Sequence, residues 1–197
     1  MNIRNHIADL VGNAYSTGER ETYSLFSPDK PALSHLAAKG NEVVENFPCV
    51  AFACTHMTAL WTIIIRDQTD YPIHMVAGAL RINNRLVFGD TETTLDPTTT
   101  FTESTLDFDG HCWVMFGEYI GDISIFRTAY SDKAPAFLNQ AVTREFGAGR
   151  GFMIDTYGGL LKSEFEYIPQ FVLTDDQVSA LGRGALSVIQ SGKMDLP

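Results

Sequence analysis

The chain has 197 residues, 45% of them hydrophobic and 19% charged, the composition of an ordinary globular protein. A single domain spanning 1–197 can bury about 70% of its unfolded surface at this length, so no disulfide or metal staple is needed to hold it. The formal charge of −10 repels phosphate backbones and anionic lipid with no Lys/Arg cluster to offset it, which excludes nucleic acid and membrane as expected partners.

Ile3, Ile7, Leu10, Val11 and Ala14 recur at helical spacing and predict an amphipathic helix over residues 2 to 16, stopped near Gly18. After a turn at Ser27-Pro28-Asp29, Leu33, Leu36, Ala37, Val43, Val44 and Phe47 predict a second helix or a helix pair, weakened at Gly40-Asn41 and ended by Pro48. Phe47 to Ile65 is the longest uncharged apolar stretch, but Pro48, Thr55, His56 and Thr58 interrupt it, so it reads as a buried helix and its lead-in. From Thr55 to Gln68 the pattern is apolar nearly all round, which describes a central helix.

Ile73 to Ile82 and Arg85 to Gly89 form a hairpin over Asn83-Asn84, residues that tolerate the positive φ of a tight turn. The threonine-rich stretch Asp90 to Thr105 lacks an apolar period and reads as an exposed loop able to border a cleft. His111 to Phe116 and Asp122 to Thr128 are two further β-rich runs, separated by a loop containing Gly117 and Gly121. Ala136 to Phe146 is expected to be helical, Gly147 to Gly159 a loop with a short apolar insert, and Glu164 to Val172 a strand. Thr174 and Gln177 make a capping box for a last helix striped by Val178, Leu181, Ala185, Val188 and Ile189. The order of helices, strands and a final helix is that of an α+β domain, with no internal repeat and no linker.

The chemistry-bearing residues concentrate in the middle of the chain. The odd count of three cysteines, all in apolar runs, and the absence of a basic-then-apolar start predict a reduced, cytoplasmic protein. Cys54 stands where the lead-in from Pro48 enters the central helix, and a helix N-terminus stabilises the thiolate, which is the attacking species in covalent catalysis. Its plain alternative is a small apolar core side chain. His111 opens a β-run after the flexible Asp109-Gly110 step, which suits a base beside a loop or an ordinary structural histidine. Asp122 follows on the neighbouring strand, where it can orient His111 or simply satisfy turn amides. Cys49 lacks a helix terminus and reads as packing, and Cys112 should face away from His111 into the core. A metal site from Cys54, His56, His74 and His111 shows no paired zinc-ligand spacing, so neither metal nor cofactor is expected.

A cysteine at the start of a buried helix, then a β-hairpin, then His and Asp on adjacent strands resembles the core of papain-like thiol hydrolases. Transglutaminase-like enzymes and arylamine N-acetyltransferases share that order. Ala53-Cys54-Thr55-His56-Met57, the strand Ile73 to Ile82 and Gly110-His111-Cys112-Trp113-Val114 carry the likeness, which covers residues 48 to about 128. The chain also resembles a bacterial family of unknown function placed in the papain-like fold class. The resemblance implies a papain-like fold, with a central helix packed on an antiparallel sheet between flanking helices. It implies a Cys54-His111-Asp122 triad acting on an amide or ester in a small-molecule or peptide substrate, or an inactive descendant serving as a binding or structural protein. Papain has glutamine six residues before its nucleophile as an oxyanion donor; Pro48 stands there in this chain and leaves that donor open beyond the backbone N–H of Cys54. Oligomeric state is not legible in the sequence.

Overall fold

A computed structural model describes residues 3–90, 96–103 and 108–191. Three helices lead the chain: α1 (Ile3–Ala14), α2 (Thr17–Leu25) and α3 (Lys30–Asn46). The sequence reading missed α2, taking Gly18 as a stop; in fact Ser16 caps it, its Oγ accepting from the Glu19 N–H at 3.2 Å. Helix α3 is continuous through Gly40-Asn41. A Cβ on Gly40 would lie 3.0 Å from the Trp61 ring, so the glycine is there for close helix packing rather than as a break.

The central helix α4 (Cys54–Gln68) feeds the hairpin β1 (Ile73–Ile82) and β2 (Arg85–Phe88), whose turn residues Asn83 and Asn84 have φ of 51° and 59°. A short helix α5 (Pro97–Thr100) follows, and Phe101 after it is buried, so the threonine-rich stretch is not wholly an exposed loop. Its residues 91–95 and 104–105 lie outside the described residues. Strand β3 (His111–Phe116) turns tightly into β4 (Tyr119–Asp122). The expected strand from Asp122 to Thr128 is not formed: Asp122 ends β4, and Ile125–Ala129 is a short helix, α6. After α7 (Ala136–Phe146), the expected loop instead contains β5 (Met153–Thr156) and α8 (Tyr157–Lys162); β6 (Phe165–Val172) and α9 (Asp175–Ser191) complete the fold. The capping box forms, Thr174 N–H donating to Gln177 Oε1 at 2.8 Å.

The six strands make one antiparallel sheet in the order β2-β1-β3-β4-β5, with β6 on the other edge of β1. Strand β1 is long enough to change partner along one edge. Ile73 to Gly78 pair with β3, and Leu80 to Ile82 pair with β2. His111 faces Gly78 in the last rung before this fork. Gly78 must be glycine, because a Cβ would sit 2.1 Å from the Ile168 carbonyl oxygen where β6 bulges past it.

The period of two divides the sheet faces. Val76, Leu80, Trp113 and Met115 pack with Ile7 and Val11 of α1 and Leu138 and Val142 of α7. Met75, Ala77, Cys112 and Val114 turn to the opposite face, under α4 with α3 and α9. The domain is therefore α+β with helices on both faces of the sheet, and α4 lies on β1 and β3.

Candidate active site

Cys54 is the first residue of α4, and no side chain caps that end; the first helical bond runs from Met57 N–H to the Ala53 carbonyl at 3.0 Å. The positive end of the helix dipole therefore lies at Cys54 and favours negative charge there. Arg127 of α6 ties down the lead-in. Its Nη1 donates to the Pro48 carbonyl at 2.6 Å, and its Nη2 to the carbonyls of Val44 and Phe47 at 2.5 and 3.1 Å. Five donors in a fixed fork suit this task, since the segment between α3 and α4 presents carbonyls that no ladder would otherwise satisfy.

His111 begins β3, is 2% exposed, and stacks on Phe88 with ring centroids 5.1 Å apart. Its Nε2 lies 2.5 Å from Asp122 Oδ2. The register explains the meeting: Val114 pairs with Gly121, so Asp122 stands opposite Trp113 and diagonal to His111 on one sheet face. Asp122 is fully buried yet well satisfied. Tyr167 O–H donates to Oδ2 at 2.7 Å, and the N–H groups of Ser124 and Ile125 each donate to Oδ1 at 3.0 Å. One carboxylate oxygen thus aims His111 while the other opens α6.

With Nε2 committed to Asp122, Nδ1 is the nitrogen left toward Cys54, which lines the same cleft as His111 and is electrostatically linked to it and to Cys112. Cys112 does face away from His111, as the alternation requires, but Cys54 reaches both from the end of the strand. The neighbouring Cys112 is the largest influence on the Cys54 thiol; burial opposes it, and His111 adds to it, leaving the thiol well below its ordinary range. Burial works against charge on His111 as well, but the Asp122 carboxylate and then Cys54 outweigh it and raise the imidazole to about 10. Asp122 is held low despite burial by the His111 charge and the donors around it. The directions of these shifts favour the charged forms of all three groups.

Cys54 and His111 open onto a cleft of about 300 Å³ at the sheet fork, walled by Phe52, Val87, Phe88, Phe108 and Pro135 and flanked by Thr128, Asp109 and Lys133. That is the small end of the range for ligand pockets. The three residues expected from the sequence therefore meet, whereas Tyr167 and Arg127 were not anticipated. The remaining candidates lie elsewhere. Cys49 is exposed, not packed as expected from the sequence. His56 Nε2 is 3.4 Å from the Glu103 carbonyl oxygen, and His74 pairs with Arg66 at 3.3 Å. Among the described residues no group of three His, Cys, Asp or Glu is placed to hold a metal ion. Nor, among them, is any helix long and apolar enough to cross a membrane. Comparison with models of known protein families, with curated proteins and with solved structures finds no match to this chain.

Proposed function

We propose that this chain is a thiol hydrolase or acyltransferase on a papain-like frame, with Cys54 as nucleophile, His111 as acid and base, and Asp122 as its orienter. The observation that carries the reading is Cys54 at an uncapped helix start, sharing a cleft with a histidine whose Nε2 lies 2.5 Å from a buried carboxylate oxygen. The thiolate attacks an amide or ester carbonyl, the imidazolium gives its proton to the leaving group, and water or an amine then releases the acyl group. Asp122 keeps Nδ1 turned toward the sulfur and stabilises the imidazolium. The aromatic walls and the size of the cleft suit a compact, largely apolar acyl group.

The test is the pH dependence of Cys54 alkylation by iodoacetamide, read by peptide mass spectrometry in wild type and His111→Ala. An acid-shifted profile that moves up toward the free-thiol value of about 8.5 when His111 is lost supports the pair. Identical, unshifted profiles leave a non-catalytic binding or structural domain.

A further inference from the structure

Acyl chemistry at Cys54 needs hydrogen-bond donors where the carbonyl oxygen becomes an oxyanion, and Pro48, at the position of papain's glutamine, has no side-chain donor. The cleft holds another candidate. Thr128 of α6 lines it beside Cys54 and His111 and is 2% exposed. Its Oγ1 accepts the Phe52 N–H at 3.2 Å, two residues before the nucleophile. Phe52 has a left-handed φ of 61°, a conformation that non-glycine residues rarely hold, and the hydroxyl fixes it there.

A threonine hydroxyl has one hydrogen to give as well as lone pairs to accept with. In a helix the usual outlet is the carbonyl four residues back, and in this molecule Thr22 and Thr62 take it at 3.0 and 2.8 Å, as does Thr69 just beyond α4 at 2.8 Å. Thr128 does not: among the described residues its hydroxyl hydrogen meets no acceptor, although the side chain is buried. A buried hydroxyl that accepts on its backbone side and has an unused hydrogen at a cleft wall is a donor awaiting a ligand oxygen.

Resting on the nucleophile reading above, we propose that the Thr128 hydroxyl is the side-chain oxyanion donor, acting together with the Cys54 backbone N–H. As the Cys54 sulfur bonds to the carbonyl carbon, the C=O π pair moves onto oxygen and the Thr128 O–H closes on it. When the oxyanion collapses, the pair returns, the bond to the leaving group breaks, and a thioester remains on Cys54. The Phe52 amide polarises the hydroxyl in this direction and holds it rigid, so little reorganisation is left for the transition state.

Two reactions of the same sulfur separate this role from a structural one. Acylation by 4-nitrophenyl acetate builds an oxyanion; alkylation by iodoacetamide is displacement at a saturated carbon and builds none. In the full chain, Thr128→Val is expected to lower the acylation rate constant about 100-fold, read from the 4-nitrophenolate burst, while the alkylation rate and its pH profile stay within about twofold. Thr128→Ser, which keeps the hydroxyl, stays within about fivefold of wild type in both. Unchanged acylation in Thr128→Val overturns the proposal, and so does a parallel fall in acylation and alkylation, which would mark Thr128 as a scaffold for Cys54. Failure of wild type to be acylated, with an unshifted alkylation profile, overturns instead the nucleophile reading beneath it.

Discussion

Two histidines sit on the same β1–β3 ladder, His74 opposite Met115 and His111 opposite Gly78, and both are almost wholly buried, at 3% and 2% exposure. Their pKa values are shifted in opposite directions. Burial first, and then the Arg66 guanidinium, drives His74 down to about 3, so it is neutral at pH 7, wedged between the edges of Tyr15 and Tyr23. Burial acts on His111 in the same direction, yet Asp122 and Cys54 carry it up to about 10. Depth in the protein therefore does not decide the charge state; the fixed neighbour does, through a Coulomb term that low local dielectric enlarges. The two histidines differ in their fixed neighbours, with Asp122 foremost at His111.

The comparison breaks most completely by removing that carboxylate's charge. Asp122→Asn is expected to make His111 behave as His74 does, titrating at or below its ordinary 6.5, with the acylation rate constant falling on the order of 10³- to 10⁴-fold. An NMR titration of the imidazole alongside the 4-nitrophenyl acetate burst measures both, and a His111 that keeps its raised value in this variant would show that Asp122 is not the cause.

A smaller change sharpens the comparison from behind. Tyr167→Phe removes one donor to Asp122 Oδ2 while leaving two backbone donors on Oδ1, so the carboxylate rises toward its ordinary value and His111 falls. Turnover should drop about tenfold, with KM unchanged, because the hydroxyl touches Asp122 and not the substrate. A rise in KM at constant kcat would place Tyr167 against the substrate instead.

The smallest effect on chemistry belongs to His74→Leu, which should leave acylation within about twofold. Its signature lies in stability. Because the folded His74 titrates near 3 and the unfolded one near 6.5, the unfolded chain binds more protons between these values. The contribution of neutral His74 is present in full above about 6.5 and is lost as pH falls toward 3. Urea midpoints of wild type should decline across that acid window, and those of His74→Leu should decline less. The linkage at His111 has the other sign, full below 6.5 and lost as pH rises toward 10, and His74→Leu leaves it in place.

How much of this was legible in the chain depends on sequence distance. The start of α4 at Cys54, the hairpin over Asn83-Asn84 and the capping box at Thr174 are local signals, and each forms. His111 and Asp122 are eleven residues apart across one turn, near enough for strand alternation to bring them together. The alternation was placed wrongly beyond Asp122. Ile125, Phe126 and Thr128 suit a strand by residue type, but Asp122 accepts from the two amides that follow it and starts a helical turn, so local hydrogen bonding overrides the preference. Helix α2 was lost because only Tyr23 of it is buried, leaving no apolar period to read. Tyr167 approaches Asp122 from 45 residues away and Arg127 reaches Val44 across 83, distances at which no spacing rule speaks. Thr128 could be recognised only once the direction of its hydroxyl bond was known.

Asp122 also has a consequence for how this chain is compared with others of its kind. Because one of its oxygens starts α6, and α6 carries Arg127 to the lead-in of α4, the residue is structural masonry as much as chemistry. A descendant that had abandoned turnover would still be selected to keep it, along with Arg127, merely to stay folded. On the function proposed above, drift would show first at Cys54, since the Thr128 hydroxyl also holds the Phe52 amide. On that proposal the nucleophile, and not the acid, is the position whose loss would mark a retired enzyme.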